Sequence, residues 1–248
     1  MDPRIRERRV AVQRDAGRRR LRLLLAGGAV VGSVALAYGL TRSPVFDVDE
    51  LLVLGAAKTT RAQIADVGGL DGSPQLADVK PAIVAHGLER LPWVQEARVV
   101  RHWPGTVEVT LVERMPLATV PASDGGWALV DETGRVLETT PGPTPGMVQV
   151  NTVPAPAPGA HVGEATLGAL GLLNALPPSL SERVNGLTVS EDGLIEIHAV
   201  GLPIIHFGPA SQMRSKLVAL TTLVARTNLR GVKAIDVRVP TAPVLTRG

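Results

Sequence analysis

Histidine is the side chain best placed to move protons or bind metals near neutral pH. This 248-residue chain has five, at positions 86, 102, 161, 198 and 206. They are widely spread, with no H-E-x-x-H or comparable ligand spacing. His198 and His206 could meet across a hairpin, but no cysteine or carboxylate completes a metal set, so both read as exposed strand residues. The chain has no cysteine, which removes disulfides, thiolate catalysis and Cys-ligated metals. G-x-S-x-G, G-x-G-x-x-G and Walker A sequences are absent, leaving no visible nucleophile elbow or phosphate cradle. The acid pairs Asp131-Glu132 and Glu191-Asp192 lie in expected turns, where Asp supports backbone geometry. No catalytic constellation emerges, so the chain is read as a non-enzyme that needs no cofactor and no metal.

The elements that would position such residues are built from aliphatic side chains. Hydrophobic residues make up 45% of the chain and aromatics only 2%. Six scattered aromatics offer no row of stacking platforms, which argues against single-stranded nucleic-acid binding. Net charge is +3, but residues 1–22 alone carry nine arginines against three acids, a balance of +6 that leaves −3 for the rest. Basicity therefore belongs to the tail rather than to the folded part.

After that tail, Leu23–Thr41 contains no charged residue. As a helix it would extend roughly 28 Å, close to a bilayer's hydrocarbon thickness. The lopsided arginines predict a cytoplasmic N-terminus and an extracytoplasmic remainder. An uncleaved anchor is the expectation, because the apolar run continues past the "ALA" at 35–37 through Leu40. The rival is a signal peptide cleaved after Ala37, with "RRRLRLL" hinting at a twin-arginine signal. Gly28 and Gly32 form a G-x-x-x-G that Ala35 and Gly39 continue, a spacing that lets a second helix approach closely.

From Pro44 the sequence reads strand, helix, helix, strand, strand. Residues 44–55 are rich in β formers. Residues 59–70 suit a helix with Thr60 as N-cap, Gln63 completing a capping box and Gly68-Gly69 as the stop. Residues 73–91 place Leu76, Val79, Ile83, Val84 and Leu88 at helical spacing, with Pro81 marking a first turn if the helix starts later. Strands are expected at 94–102 and 106–114. Pro104-Gly105 is the turn between them, proline presetting its own φ and glycine accepting a positive one. Val107, Val109 and Leu111 alternate with polar neighbours, giving one packed face and one wet face.

Residues 117–140 read as three short strands and 147–150 as a fourth. A Pro-rich connector at 154–159 leads to a helix at 164–176. Three strands follow within 183–190, 194–200 and 202–207, then an amphipathic helix at 210–226. A strand at 232–240 and a last short one at 242–246 complete the pattern.

This order, with "LPWVQEARVVRHWPGTVEVTLVERMP" at 91–116, resembles the POTRA domain of the FtsQ/DivIB family of bacterial cell-division proteins. The family's V-x-G is matched by Val53 and Gly55. Its LPWV…A-V-x-R-x-WP-x-T…V-x-V-x-E-R-x-P is matched by Leu91–Val94, Ala97, Val99, Arg101, Trp103, Pro104, Thr106, Val109, Leu111, Glu113, Arg114 and Pro116, with Leu111 in place of the second valine. Near the C-terminus, Ile235, Asp236 and Arg238 match an I-D-x-R, and Lys216-Leu217 a basic-apolar pair. The resemblance implies an α+β protein: basic cytoplasmic tail (1–22), transmembrane helix (23–42), POTRA domain (43–115) and a mostly antiparallel β domain with flanking helices (116–248). It implies a single-pass scaffold at the division septum, binding FtsB/DivIC-type and FtsL-type proteins by strand pairing outside the membrane. The interface it implies comprises Ile235, Val237, Val239, Ala242, Val244, Leu245 and Thr246, together with Lys216. Pro243 lacks an N–H and must face away from the pairing edge or shift its register. The alternative is an exported POTRA-bearing module for polypeptide binding or secretion.

Overall fold

The structure is a computed structural model and describes residues 24–36, 38–39 and 42–247. The basic tail, Leu23, Ala37, Leu40 and Thr41 lie outside the described residues, and with them parts of the expected span and its rival cleavage site. Residues 24–36 and 38–39 are helical (α1) and exposed. Among the described residues nothing beyond the local helix backbone lies within 4 Å of where a Cβ would project from Gly28, Gly32 or Gly39, and Ala35 is likewise exposed. Among the described residues no helix is long and apolar enough to cross a membrane.

Two sheets follow, each with its own core. The first holds β1 (Glu50–Leu54), β2 (Val94–His102) and β3 (Thr106–Glu113) in the order β1-β3-β2. β1 runs parallel to β3, and β2 antiparallel to it. Helices α2 (Arg61–Gly68) and α3 (Pro81–Leu88) lie between β1 and β2 in the chain. Their Ile64 and Leu88 meet Val107 and Val109 of β3 in the core. Thr60 caps α2 with Gln63 in a reciprocal capping box, and Gly69 ends it in the left-handed conformation, as the sequence predicts. Gly55 is fixed for two reasons: its φ is +77°, and a Cβ would fall 2.1 Å from the Leu111 carbonyl oxygen.

Two expectations in this unit are corrected. The helix expected over 73–91 forms only at Pro81–Leu88, with proline in its first turn. Residues 74–76 pair instead with 46–48, through Val48 N–H to Pro74 O and Leu76 N–H to Phe46 O. Leu76 and Val79 are still buried, but from a non-helical segment. The 103–105 turn contains a cis Trp103–Pro104 bond, and Gly105 has no positive φ. Glycine is required there by close approach, since a Cβ would lie 2.7 Å from the Asp47 carbonyl oxygen.

The second sheet has nine strands in the order β12-β11-β10-β9-β8-β7-β4-β5-β6. They are β4 (Pro116–Pro121), β5 (Trp127–Asp131), β6 (Val136–Thr140), β7 (Val148–Asn151), β8 (Val184–Val189), β9 (Ile195–Ala199), β10 (Ile204–Gly208), β11 (Val232–Asp236) and β12 (Val244–Arg247). β4·β7, β7·β8 and β10·β11 are parallel pairs; the other five are antiparallel. Helices α4 (Glu164–Ala175) and α6 (Met213–Arg226), with the short α5 (Pro178–Ser181), contribute Leu170, Leu172, Leu180 and Leu220 to its core. The last helix begins three residues later than the pattern suggests because Gln212 sits at φ +52°, outside helical geometry.

The tryptophan-rich motif proves to be fastening. The Glu113 carboxylate accepts the backbone N–H groups of Ala57, Lys58 and Thr59 at 2.7–3.0 Å, holding the loop ahead of α2. Arg101 Nη1 donates to the carbonyls of Leu76, Ala77 and Val79 at 3.0–3.3 Å, closing the 76–79 turn. Trp93 receives the Lys58 ammonium over its face at 5.0 Å. Trp103 meets Phe46 edge-on at 5.6 Å.

Candidate functional site

The histidines do not converge. His206 Nδ1 lies 2.9 Å from Glu196 Oε1, and His198 Nε2 lies 3.0 Å from Thr188 Oγ1, so each has its own partner on the outer face of the nine-stranded sheet. The register places His206 opposite Glu196 rather than His198. His102 pairs separately with Glu108 at 3.0 Å. Among the described residues no group of three His, Asp or Glu could hold a metal ion. Asp131 supports its turn as read, accepting the Thr133 and Arg135 N–H groups, and is in addition a buried strand-end carboxylate paired with Arg114.

What the fold does present is a strand edge. β12 pairs antiparallel with β11 through Ala234↔Thr246, Ile235↔Leu245 and Asp236↔Val244. It is terminal in the sheet, with no strand on its other side among the described residues. Ile235 and Val237 are fully buried beneath it, and Leu245 packs on the same core. Val239, Ala242, Val244 and Thr246 are exposed. An edge strand anchored on one face and open along one side leaves main-chain N–H and C=O groups free for an incoming strand.

The I-D-x-R residues make this hairpin. Asp236 accepts the Arg238 backbone N–H at 2.9 Å and its Nε at 2.9–3.0 Å, ending β11 in a side-chain-closed turn. The Arg238 side chain is the foremost cause holding the Asp236 carboxyl below its ordinary value. Ala242 N–H then bonds to the Val239 carbonyl at 3.1 Å, and the chain re-enters the sheet at Val244. Pro243 therefore precedes the strand and takes no place in the ladder. Ala242 likewise lies outside β12, which runs to Arg247.

Lys216 does not reach the surface. Its side chain is buried, its Nζ bonds to the Pro209 carbonyl at 2.7 Å, and it stands 5.1 Å over the Phe207 ring. Burial pushes its pKa below the ordinary lysine value. It fixes the loop between β10 and α6 from within.

These two sheets coincide with two family models. Residues 46–114 match the POTRA domain, FtsQ-type, and residues 118–238 match the C-terminal domain of cell division protein FtsQ/DivIB. The chain belongs to the FtsQ/DivIB family. It is similar to the cell division protein FtsQ of Mycobacterium tuberculosis, 26% identical over 217 residues, covering 88% of this chain and 66% of that relative. The Corynebacterium glutamicum FtsQ is 25% identical over 187 residues, 75% of this chain and 82% of the relative. The Rhodothermus marinus FtsQ is 30% identical over 154 residues, 60% of this chain and 55% of the relative. The chain thus spans just under two thirds of the length of the mycobacterial FtsQ it matches. Within the FtsQ-type unit, the E-R of the motif could be noticed in sequence, but its two separate fastening roles are visible only in space.

Proposed function

We propose that this FtsQ/DivIB protein is a single-pass membrane scaffold of the bacterial division complex. The arginine-rich tail 1–22 lies in the cytoplasm, 23–42 cross the bilayer, and the POTRA (43–115) and β (116–248) domains stand outside the membrane at the septum. It recruits FtsB/DivIC-type and FtsL-type proteins by accepting a strand on β12. The observation that carries this reading is the one-sided pairing of β12 beside a buried Ile235 and an exposed Val244. Photo-crosslinkers at positions 244–246 should capture a division protein from living cells. Pull-downs from membranes that recover no division protein would defeat the reading.

A second reading, a polypeptide-binding or secretion module, draws on an edge of the three-stranded sheet. β1 pairs only with β3 and exposes Leu52 and Leu54. Crosslinks from Leu54 to exported polypeptides unrelated to division would favour it.

A further inference from the structure

We infer that the 103–105 turn of the POTRA unit is a bilayer contact, with Trp103 and Val45 seated among the headgroups of the outer leaflet beside the emerging anchor. The inference rests on the membrane-anchor reading and goes beyond it.

The turn is tied to the root of the unit. Asp49 N–H and Glu50 N–H both bond to the Gly105 carbonyl, at 2.9 and 3.2 Å. Phe46 meets Trp103 ring to ring. Phe46 is itself close to α1, because two hydrogen-bonded turns, Arg42 N–H to Gly39 O and Phe46 N–H to Ser43 O, take up the chain between them. A β-turn spans under about 7 Å, so Gly39 and Phe46 are separated by no more than about 18 Å.

The root is also held rigidly. The Arg42 guanidinium binds both Asp78 carboxylate oxygens, at 2.6 and 3.0 Å, and lies 5.5 Å over the Tyr38 ring. Gln75 Nε2 donates to the Arg42 carbonyl at 2.9 Å. The helix end and the POTRA unit are therefore joined by side chains as well as by the chain itself.

Against that frame, exposure at the tip stands out. Trp103 is 53% exposed and Val45 65% exposed, in a chain with only three tryptophans. Tryptophan and tyrosine favour the membrane–water boundary, where an apolar ring meets polar headgroups. Acids at 47, 49 and 50 adjoin the turn, so the attraction is apolar and aromatic rather than ionic. It is expected to withstand high salt.

The test uses the full chain in phosphatidylcholine vesicles, with a W93F/W127F variant whose sole tryptophan is Trp103 and a W93F/W103F variant that keeps only Trp127. Lipids brominated near the headgroup end of the acyl chain should quench Trp103 at low and high salt, and leave Trp127 unaffected. A chain that floats with the vesicles while Trp103 stays bright overturns the contact and leaves the anchor standing. Equal quenching of both tryptophans also overturns it, because the β domain would then lie on the membrane too. Shielding of Trp103 from an aqueous quencher without a bromine effect assigns the tip to a second copy or a protein partner, which again overturns it. Failure to float defeats the anchor, and this inference with it.

Discussion

Arg114 Nη1 stands 2.8 Å from Asp131 Oδ2, the two side chains 16% and 4% exposed, so an ion pair is closed into the junction between the two sheets. Arg114 also donates Nε to the Val94 carbonyl at 3.2 Å. Asp131 accepts from Thr133 N–H, Thr133 Oγ1 and Arg135 N–H at 2.7–2.9 Å. Arg135 reaches back to the Arg90 carbonyl at 2.8 Å. Only two residues, 114 and 115, separate β3 from β4, and this network holds them.

Breaking one partner of a buried pair leaves an uncompensated charge. Asp131→Asn and Arg114→Met should each cost about 3 kcal/mol of stability. The double variant should cost less than the sum of the two, since no lone charge remains. Urea midpoints followed by circular dichroism measure both; additive losses would refute the coupling.

Glu113→Gln should cost about 2 kcal/mol, because an amide presents its own N–H groups to at least one of the three donors the carboxylate now satisfies. Amide hydrogen exchange at 57–59 should speed up before that of β2. Unchanged protection there would show that the loop holds itself.

Acid should weaken both fastenings. Burial pushes the Asp131 carboxyl upward, but Thr133, Arg114 and the Arg135 N–H together outweigh it and hold it below its ordinary value. Burial likewise works against Glu113, where the N–H groups of Thr59, Lys58 and Ala57 prevail. The unfolded chain thus binds protons that the folded one refuses. Their stabilisation is complete above about pH 5 and is lost as pH falls through the lowered folded values. Melting temperatures across that range should fall less steeply in Glu113→Gln and Asp131→Asn than in the parent.

Lys216 carries the opposite liability. Burial alone lowers its pKa, so the folded state gives up this proton more readily than the unfolded one. Stability gained from its neutral form grows as pH rises through the lowered value and is complete above about 10.5. Lys216→Met should stay within about 1.5 kcal/mol of the parent and lose that alkaline gain, whereas Lys216→Ala should cost about 3 kcal/mol through the space it empties. Thermal melts at neutral and alkaline pH separate the two.

Local chemistry in the sequence determined much of this protein. The Thr60–Gln63 capping box and the left-handed Gly69 involve groups within one turn of helix, so residue types alone specify them. The alternation of Val107, Val109 and Leu111 with polar neighbours needs only the two-residue period of a strand. The family motif was legible for the same reason: its residues crowd into 91–116.

Tertiary structure decided the rest. Leu76 and Val79 keep helical spacing, yet pairing with 46–48 draws their segment out of the helix. Glu113 meets a loop more than fifty residues earlier, and Asp131, a turn former as read, is also claimed by Arg114 from the link between the two sheets. Lys216, expected at the partner interface, is buried against Phe207 instead. Periodicity and propensity report what a residue does with neighbours a few positions away; the partners that fixed these groups come near only when each sheet closes on its own core and, for Asp131 and Arg114, when the two sheets meet.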